Sequence, residues 1–126
     1  MAAVRKRSKY GNKKVVVDGH TFDSKAEAKY YQQLRWLQQA KQIKSFKLQP
    51  RYLLQEGFKK NGKTYRAIHY KADFEVHKLD GTVEIIDIKG AITKEFSIKR
   101  KLFEMKYIDS IKLLKYDQHR GFIEVS

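Results

Sequence analysis

Two alternating segments around Asp80-Gly81 constrain this chain more than any other feature. Upstream, Ile68, Tyr70, Ala72, Phe74 and Val76 alternate with His69, Lys71, Asp73, Glu75 and His77. Downstream, Glu84, Ile86 and Ile88 alternate with Val83, Ile85, Asp87 and Lys89. Period-two alternation on both sides of a turn dipeptide predicts a hairpin. Its register follows from the loop, because a slip of one residue exchanges the faces. A two-residue loop, Asp80-Gly81, sets Phe74 opposite Asp87 and Ala72 opposite Lys89, which mixes charged and apolar residues on both faces. A three-residue loop, Leu79-Asp80-Gly81, pairs Lys78 with Thr82 and puts Gly81 at the left-handed position such a loop needs. Phe74 then faces Ile86, Ala72 faces Ile88 and Asp73 faces Asp87. Directly paired residues share a face. The second register separates a dry face from a polar one, and it is the one the sequence predicts.

That register has a chemical consequence. Asp73 and Asp87 stand with Cβ atoms ~5 Å apart, and carboxylates that close repel unless a cation or proton intervenes. Lys89 lies two residues beyond Asp87 on the same face. Hard oxygen ligands suit a magnesium ion, which keeps several of its waters. Such an ion acidifies water and stabilises charge on a phosphate, and a lysine beside it orients the water or holds the phosphate. In outline this is a site for phosphodiester hydrolysis. Glu27 is a third acid. It precedes Tyr30 and Leu34 by three and seven residues, on the apolar side of a predicted helix. It also closes the capping-box spacing Ser24-Lys-Ala-Glu27. Capping and pointing at a metal are compatible roles, and the strand pair favours the second.

The remaining segments surround this hairpin. Val15 to Phe22 reads as a small hairpin turning at Asp18-Gly19. The first helix runs from its Ser24 cap to about Lys41, with Tyr30, Leu34 and Leu37 inward and Ala26 and Tyr31 flanking. Ile43 to about Gln55 reads as a strand in which Pro50 marks an edge or a bulge. Asn61-Gly62 marks a turn among Lys59, Lys60, Lys63 and Arg66. One long strand is expected from Tyr65 to Lys78 and another from Val83 to Lys89. A second helix is expected from about Lys94 to Lys106, with Ile98, Leu102 and Met105 on one side and Phe103 near them. Ile111 to Tyr116 is a core strand, and Gly121 to Ser126 adds a short one. The order is helix, three strands, helix, strand: an α/β (α+β) fold with a mixed sheet flanked by helices. Residues 1–14 form a basic arm and 15–126 one domain, as expected for 126 residues.

Composition narrows the function. Lys and Arg number 28 against 14 Asp and Glu, a formal net charge of +14. A field of that sign attracts polyanions, nucleic acid first among them. Cysteine is absent, which excludes disulfides, cysteine zinc sites and thiol nucleophiles. No apolar run approaches the ~18 residues of a membrane helix, and the first residues lack a secretory apolar stretch. A cytoplasmic location is expected.

Asp73, a hairpin, and Asp87-Ile88-Lys89, with an acidic helix before and a basic helix after, resemble the PD-(D/E)XK nuclease superfamily over roughly residues 22 to 116. Tyr10-Gly-Asn-Lys-Lys14, Phe22-Asp-Ser-Lys-Ala-Glu-Ala-Lys29, Leu48-Gln-Pro50, Ala72-Asp-Phe74 and Asp87-Ile-Lys-Gly90 are similar to a group of small phage-encoded nucleases related to Holliday-junction resolvases. The resemblance implies a restriction-endonuclease-like core and a Mg2+ site, which Mn2+ can also fill. Its ligands would be Glu27, Asp73, Asp87 and the backbone carbonyl of Ile88, with Lys89 catalytic. It implies hydrolysis to a 5′-phosphate and a 3′-hydroxyl on branched or structured DNA, during phage recombination, replication or packaging, inside a bacterial host cell. Ala72 departs from the pattern, standing where the superfamily's name has proline.

DNA contacts are expected from Arg5, Lys6, Arg7, Lys9, Lys13 and Lys14 on the arm, and from Lys99 and Arg100 on the second helix. His20, His69, His77 and His119 are spread out and lack metal-ligand spacing, although His69, His77 and Glu75 fall on the Asp73 face. Trp36 and most tyrosines belong to the core, with Tyr10 beside the arm as the exception. Symmetric cuts on two strands suit a homodimer. The other function class is a non-catalytic nucleic-acid-binding protein with a nuclease-like fold. Asp73, Asp87 and Lys89 together argue against it, because a pure binder gains nothing from acids placed against phosphates.

Overall fold

The structure is a computed structural model that describes residues 13–125. The chain runs β1 (Val15–Val17), β2 (His20–Phe22), α1 (Lys25–Gln39), β3 (Ser45–Leu48), β4 (Arg51–Gln55), β5 (Phe58–Lys60), β6 (Lys63–Tyr65), β7 (Ile68–Lys71), β8 (Phe74–His77), β9 (Val83–Ile88), α2 (Lys94–Lys106), β10 (Ile111–Asp117) and β11 (Gly121–Val125). Five strands form the central mixed sheet in the order β11-β10-β9-β8-β3. Only β9 and β10 are parallel, and α2 makes the crossover between them, as a parallel pair requires. Counting only strands of this sheet and its helices, the order is helix, three strands, helix, strand, then β11. Among the described residues no helix is long and apolar enough to cross a membrane.

The central hairpin takes the predicted register. Phe74 pairs with Ile86 and His77 with Val83, and the Lys78 amide donates to the Thr82 carbonyl at 2.9 Å. Gly81 is left-handed, with φ of +90°. The Asp80 carboxylate accepts from the Thr82 amide at 2.9 Å and its hydroxyl at 2.7 Å, closing the loop.

Two expected strands are broken, and the breaks are coupled. The Ile43–Gln55 segment divides into β3 and β4 at Gln49-Pro50, where Gln49 takes φ of 48°. The Tyr65–Lys78 segment divides into β6, β7 and β8. Gln49 N–H donates to Asp73 C=O at 2.9 Å, and Ala72 N–H to Pro50 C=O at 3.0 Å. Both strands therefore bend at one level without losing their pairing, and β4–β7 leaves the plane of the sheet as a separate ribbon. The bend changes parity. Tyr70 and Ala72 pack with Ile85, Phe96, Phe103 and Leu113 on one side, while Phe74 and Val76 pack with α1 on the other. A single dry face from Ile68 to Val76 is corrected accordingly.

Each face of the sheet is covered. Tyr30, Tyr31 and Leu34 of α1 close one side over Phe74, Val76, Ile86 and Leu114. The other, expected to be polar, is closed over Ile85 and Leu113 by α2 and the β4–β7 ribbon. The α1 helix ends at Gln39, two residues early, and Leu37 is only half-buried. The α2 helix has the predicted bounds, and Leu102 and Phe103 pack inward as expected, but Phe96 takes the place of Ile98 and Met105. Phe96 and Phe103 are buried, whereas Ile98 and Met105 are 61% and 90% exposed. The reason is aromatic packing: Phe103 meets Tyr52, Tyr70 and Tyr107 with ring centroids 4.8–5.8 Å apart. Trp36 is 66% exposed, against the expected core position.

Candidate active site

The central hairpin, the bend and the start of α1 converge at one place. Asp73 stands at the break between β7 and β8, and one of its carboxylate oxygens accepts from the Ile88 amide at 2.7 Å. That bond fixes Asp73 across from the end of β9, as the register predicts. Asp87 is buried on β9 at 3% exposure. The Tyr70 hydroxyl donates to one of its oxygens, and the Lys89 ammonium stands 3.5 Å from the other. Glu27 opens α1. Its amide donates to the Ser24 side chain at 3.1 Å, and its carboxylate receives the Ser24 hydroxyl at 3.4 Å. The capping geometry is thus made, yet the Glu27 side chain also lines an open cleft of about 370 Å3 together with Ile88 and Lys89.

Buried carboxylates need partners, and here they are short of them. Among the described residues Lys89 is the one cation within 4 Å of the three acids. Burial first, and then the charges of Asp87 and Glu27, push Asp73 far above the ordinary carboxylate range. Burial and then the Asp23 charge raise Glu27 as well, with Asp87 a smaller cause. Among the described residues no three His, Asp or Glu side chains are gathered closely enough to share one ion as they stand. Asp73 and Asp87 adjoin, and Glu27 lies on their flank. The donors are hard oxygens, and an open cleft lined by Glu27, Ile88 and Lys89 lies beside them. That set fits a hard divalent cation.

Lys89 also lines a second cleft, of about 280 Å3, with Tyr70, Lys71, Thr93, Phe96 and Lys99. Lys99 therefore does face an opening beside the acids, although it also pairs with Glu95 at 3.3 Å. Arg100 is turned elsewhere, reaching the Ile111 carbonyl at 3.5 Å. Lys14 pairs with Asp23 at 2.8 Å, and Lys13 is exposed. Arg5, Lys6, Arg7, Lys9 and Tyr10 lie outside the described residues. Glu75 is occupied by the Tyr52 hydroxyl at 2.6 Å and by His77 at 2.7 Å, which gives both residues a local partner away from the acids. His69 lies in the β4–β7 ribbon, opposite Leu53.

Tyr70 is the site residue that alternation misplaces. It precedes Asp73 by an odd number of residues, which puts it on the opposite face of an unbroken strand. The break at Ala72-Asp73 returns it to the side of Asp87. Burial and the Asp87 charge raise the phenol strongly, so it stays a donor to that carboxylate.

Fold and site together define an α+β protein whose central hairpin and first helix gather Asp73, Asp87 and Glu27, with Glu27 and Lys89 lining open clefts beside the aspartates. Residues 7–118 match a family described as a protein of unknown function (DUF1064), and with most of the 126 residues covered the chain belongs to it. No curated protein matches the chain.

Proposed function

We propose that the protein is a metal-dependent endonuclease with a restriction-endonuclease-like core of the PD-(D/E)XK type, cutting phosphodiester bonds in branched or otherwise structured DNA. The observation that carries this reading is the crowding of Asp73 against Asp87, with Lys89 3.5 Å from Asp87. Mutual repulsion of buried carboxylates has no structural benefit that an Asn or Ser would not provide without the electrostatic cost. Asp73 and Asp87 would hold Mg2+ or Mn2+, with Glu27 and the Ile88 carbonyl beside them. When bound, such a cation supplies positive charge to the scissile phosphate and acidifies water.

The chain's own residues do the rest. The Ile88 amide and the Tyr70 hydroxyl fix the two aspartates, so that each keeps an oxygen for ligation. The Lys89 ammonium, held between Asp87 and the Phe96 ring and lining both clefts, offers a positive charge that orients the attacking water or the phosphate. Attack of water at phosphorus and departure of the 3′ oxygen leave a 5′-phosphate and a 3′-hydroxyl. The net charge of +14 gathers the polyanion. Cleavage assays with Mg2+ on four-way junction, flap, nicked, duplex and single-stranded DNA test the reading. Metal-dependent cutting, strongest on a branched substrate, is expected. Absence of cutting on every substrate with either metal would overturn it.

A further inference from the structure

The β5–β6 hairpin lies outside everything described so far. It turns at Asn61-Gly62, with φ of 51° and 74°, the double left-handed turn of a tight hairpin. Every residue from Gln55 to Arg66 is exposed, and neither strand packs substantially on any element but the other. The hairpin is the tip of a longer ribbon whose base is β4–β7. At its root Gly57 approaches the Tyr65 carbonyl so closely that a Cβ would stand 3.0 Å from it.

Two properties of this tip converge. Lys59, Lys60, Lys63 and Arg66 have no ion-pair partner among the described residues. The only acid in the stretch is Glu56. Phe58 pairs with Tyr65 across the ribbon, with ring centroids 4.7 Å apart and planes 12° from parallel. They remain 45% and 40% exposed. Paired residues share a face, so Lys60 and Lys63 lie on the same side as this aromatic pair, nearer the tip.

A ribbon kept soluble by lysines needs no exposed aromatic stack. A protein-binding ribbon would not be almost wholly cationic. Each ring covers one face of the other, and the Lys63 ammonium stands 5.5 Å from the Tyr65 ring centroid, leaving the outer face of Phe58 and the ring edges exposed. Lysines beside such half-exposed rings are the chemistry of a nucleic-acid strand, in which cations hold phosphates and rings take unpaired bases.

We propose that the β5–β6 hairpin is a second nucleic-acid contact, which grips an unpaired strand by stacking bases on Phe58 and Tyr65 and holding phosphates with Lys59, Lys60 and Lys63. This shares its polyanion partner with the nuclease reading but does not require cleavage. It gives a structural reason for a preference among DNA forms, since flapped, gapped or forked DNA offers unpaired bases beside a duplex and an intact duplex does not.

The test is fluorescence anisotropy of the full chain in EDTA, with a labelled single-stranded oligonucleotide and a duplex of equal length. Phe58→Leu/Tyr65→Leu keeps an apolar cross-strand pair and removes the rings. It is expected to bind the single strand roughly tenfold more weakly and the duplex within about twofold. Lys59→Gln/Lys60→Gln/Lys63→Gln keeps the stack and is expected to weaken both, with the logarithmic salt slope reduced by ~0.7 per lost contact on the single strand. Thermal melts of both variants should match the parent, because the tip covers no core. A ring-less variant that binds the single strand like the parent, or loses as much on the duplex, overturns the proposal. Ring-dependent single-strand binding by a parent that cuts none of the five DNA substrates with Mg2+ or Mn2+ ends the nuclease reading and leaves this contact supported.

Discussion

Asp73 takes the Ile88 amide, faces Asp87 and feels Glu27, and each of these contacts bears on its proton. Its folded-state affinity for a proton exceeds the unfolded one. Between the unfolded value and the raised folded value the native state therefore holds more protons. Stability falls as pH rises through that window. Asp73→Asn keeps the acceptor for Ile88 and cannot ionise. In metal-free buffer it should melt above the parent at pH 8, with the difference shrinking towards pH 4, while DNA cleavage is lost. Melting scans across that range check the sign, and a parent that melts as high as the variant at pH 8 would deny the crowding. Glu27→Gln separates capping from metal binding. Gln still meets the Ser24 hydroxyl, so the melt should stay near the parent's. Cleavage should drop by most of its rate and return in part with excess Mg2+ or with Mn2+. Unchanged cleavage would leave Glu27 as a cap alone. At this scale the sequence was informative where chemistry and register coincide, at Asp73, Asp87, Lys89 and Glu27. Tyr70 was hidden, because its place depends on a strand break two residues away.

Among the elements, the central hairpin was legible because a turn residue and the pattern on both strands agreed. Gly81 tests that agreement. Nothing lies within 4 Å of a Cβ built there, yet φ is +90°. Gly81→Ala should therefore cost only the backbone strain, about 1 kcal/mol, or a fall of roughly 4 °C in Tm for a chain of this size. A larger fall, or a change in cleavage beyond that expected from stability, would show that the loop does more than set register. The bends at Gln49-Pro50 and Ala72-Asp73 were not legible as a pair. Pro50 signals an irregularity, but nothing local to Ala72 says that its strand must follow. The buried side of α2 was ambiguous for another reason. Ile98, Leu102 and Met105 form one stripe, Phe96 and Phe103 another, and helical spacing admits both. The aromatic cluster from β4, β7 and Tyr107 decides for the second and draws Leu102 in with it, and that cluster is made by residues distant in sequence.

Across the whole molecule, a mixed sheet covered on both faces brings the end of β9, the bend and the start of α1 together around a knot of acids, beside an open cleft. A protein with a net charge of +14 has concentrated negative charge at that one point. The element order and the helices follow from pattern. The ribbon that carries the β5–β6 tip away from the sheet does not, since it depends on the coupled bends. In the proposed function, the acids at this point hold a divalent cation for strand cleavage. The most direct measurement compares the parent with Asp87→Asn, which keeps an acceptor for Tyr70, on the best-cut DNA across a Mg2+ titration, with binding followed in parallel. The parent should cut in a metal-dependent manner and leave 5′-phosphates, while Asp87→Asn should bind at least as well as the parent and not cut. An Asp87→Asn variant that cuts at the parental rate would show that Asp87 does not hold the catalytic cation.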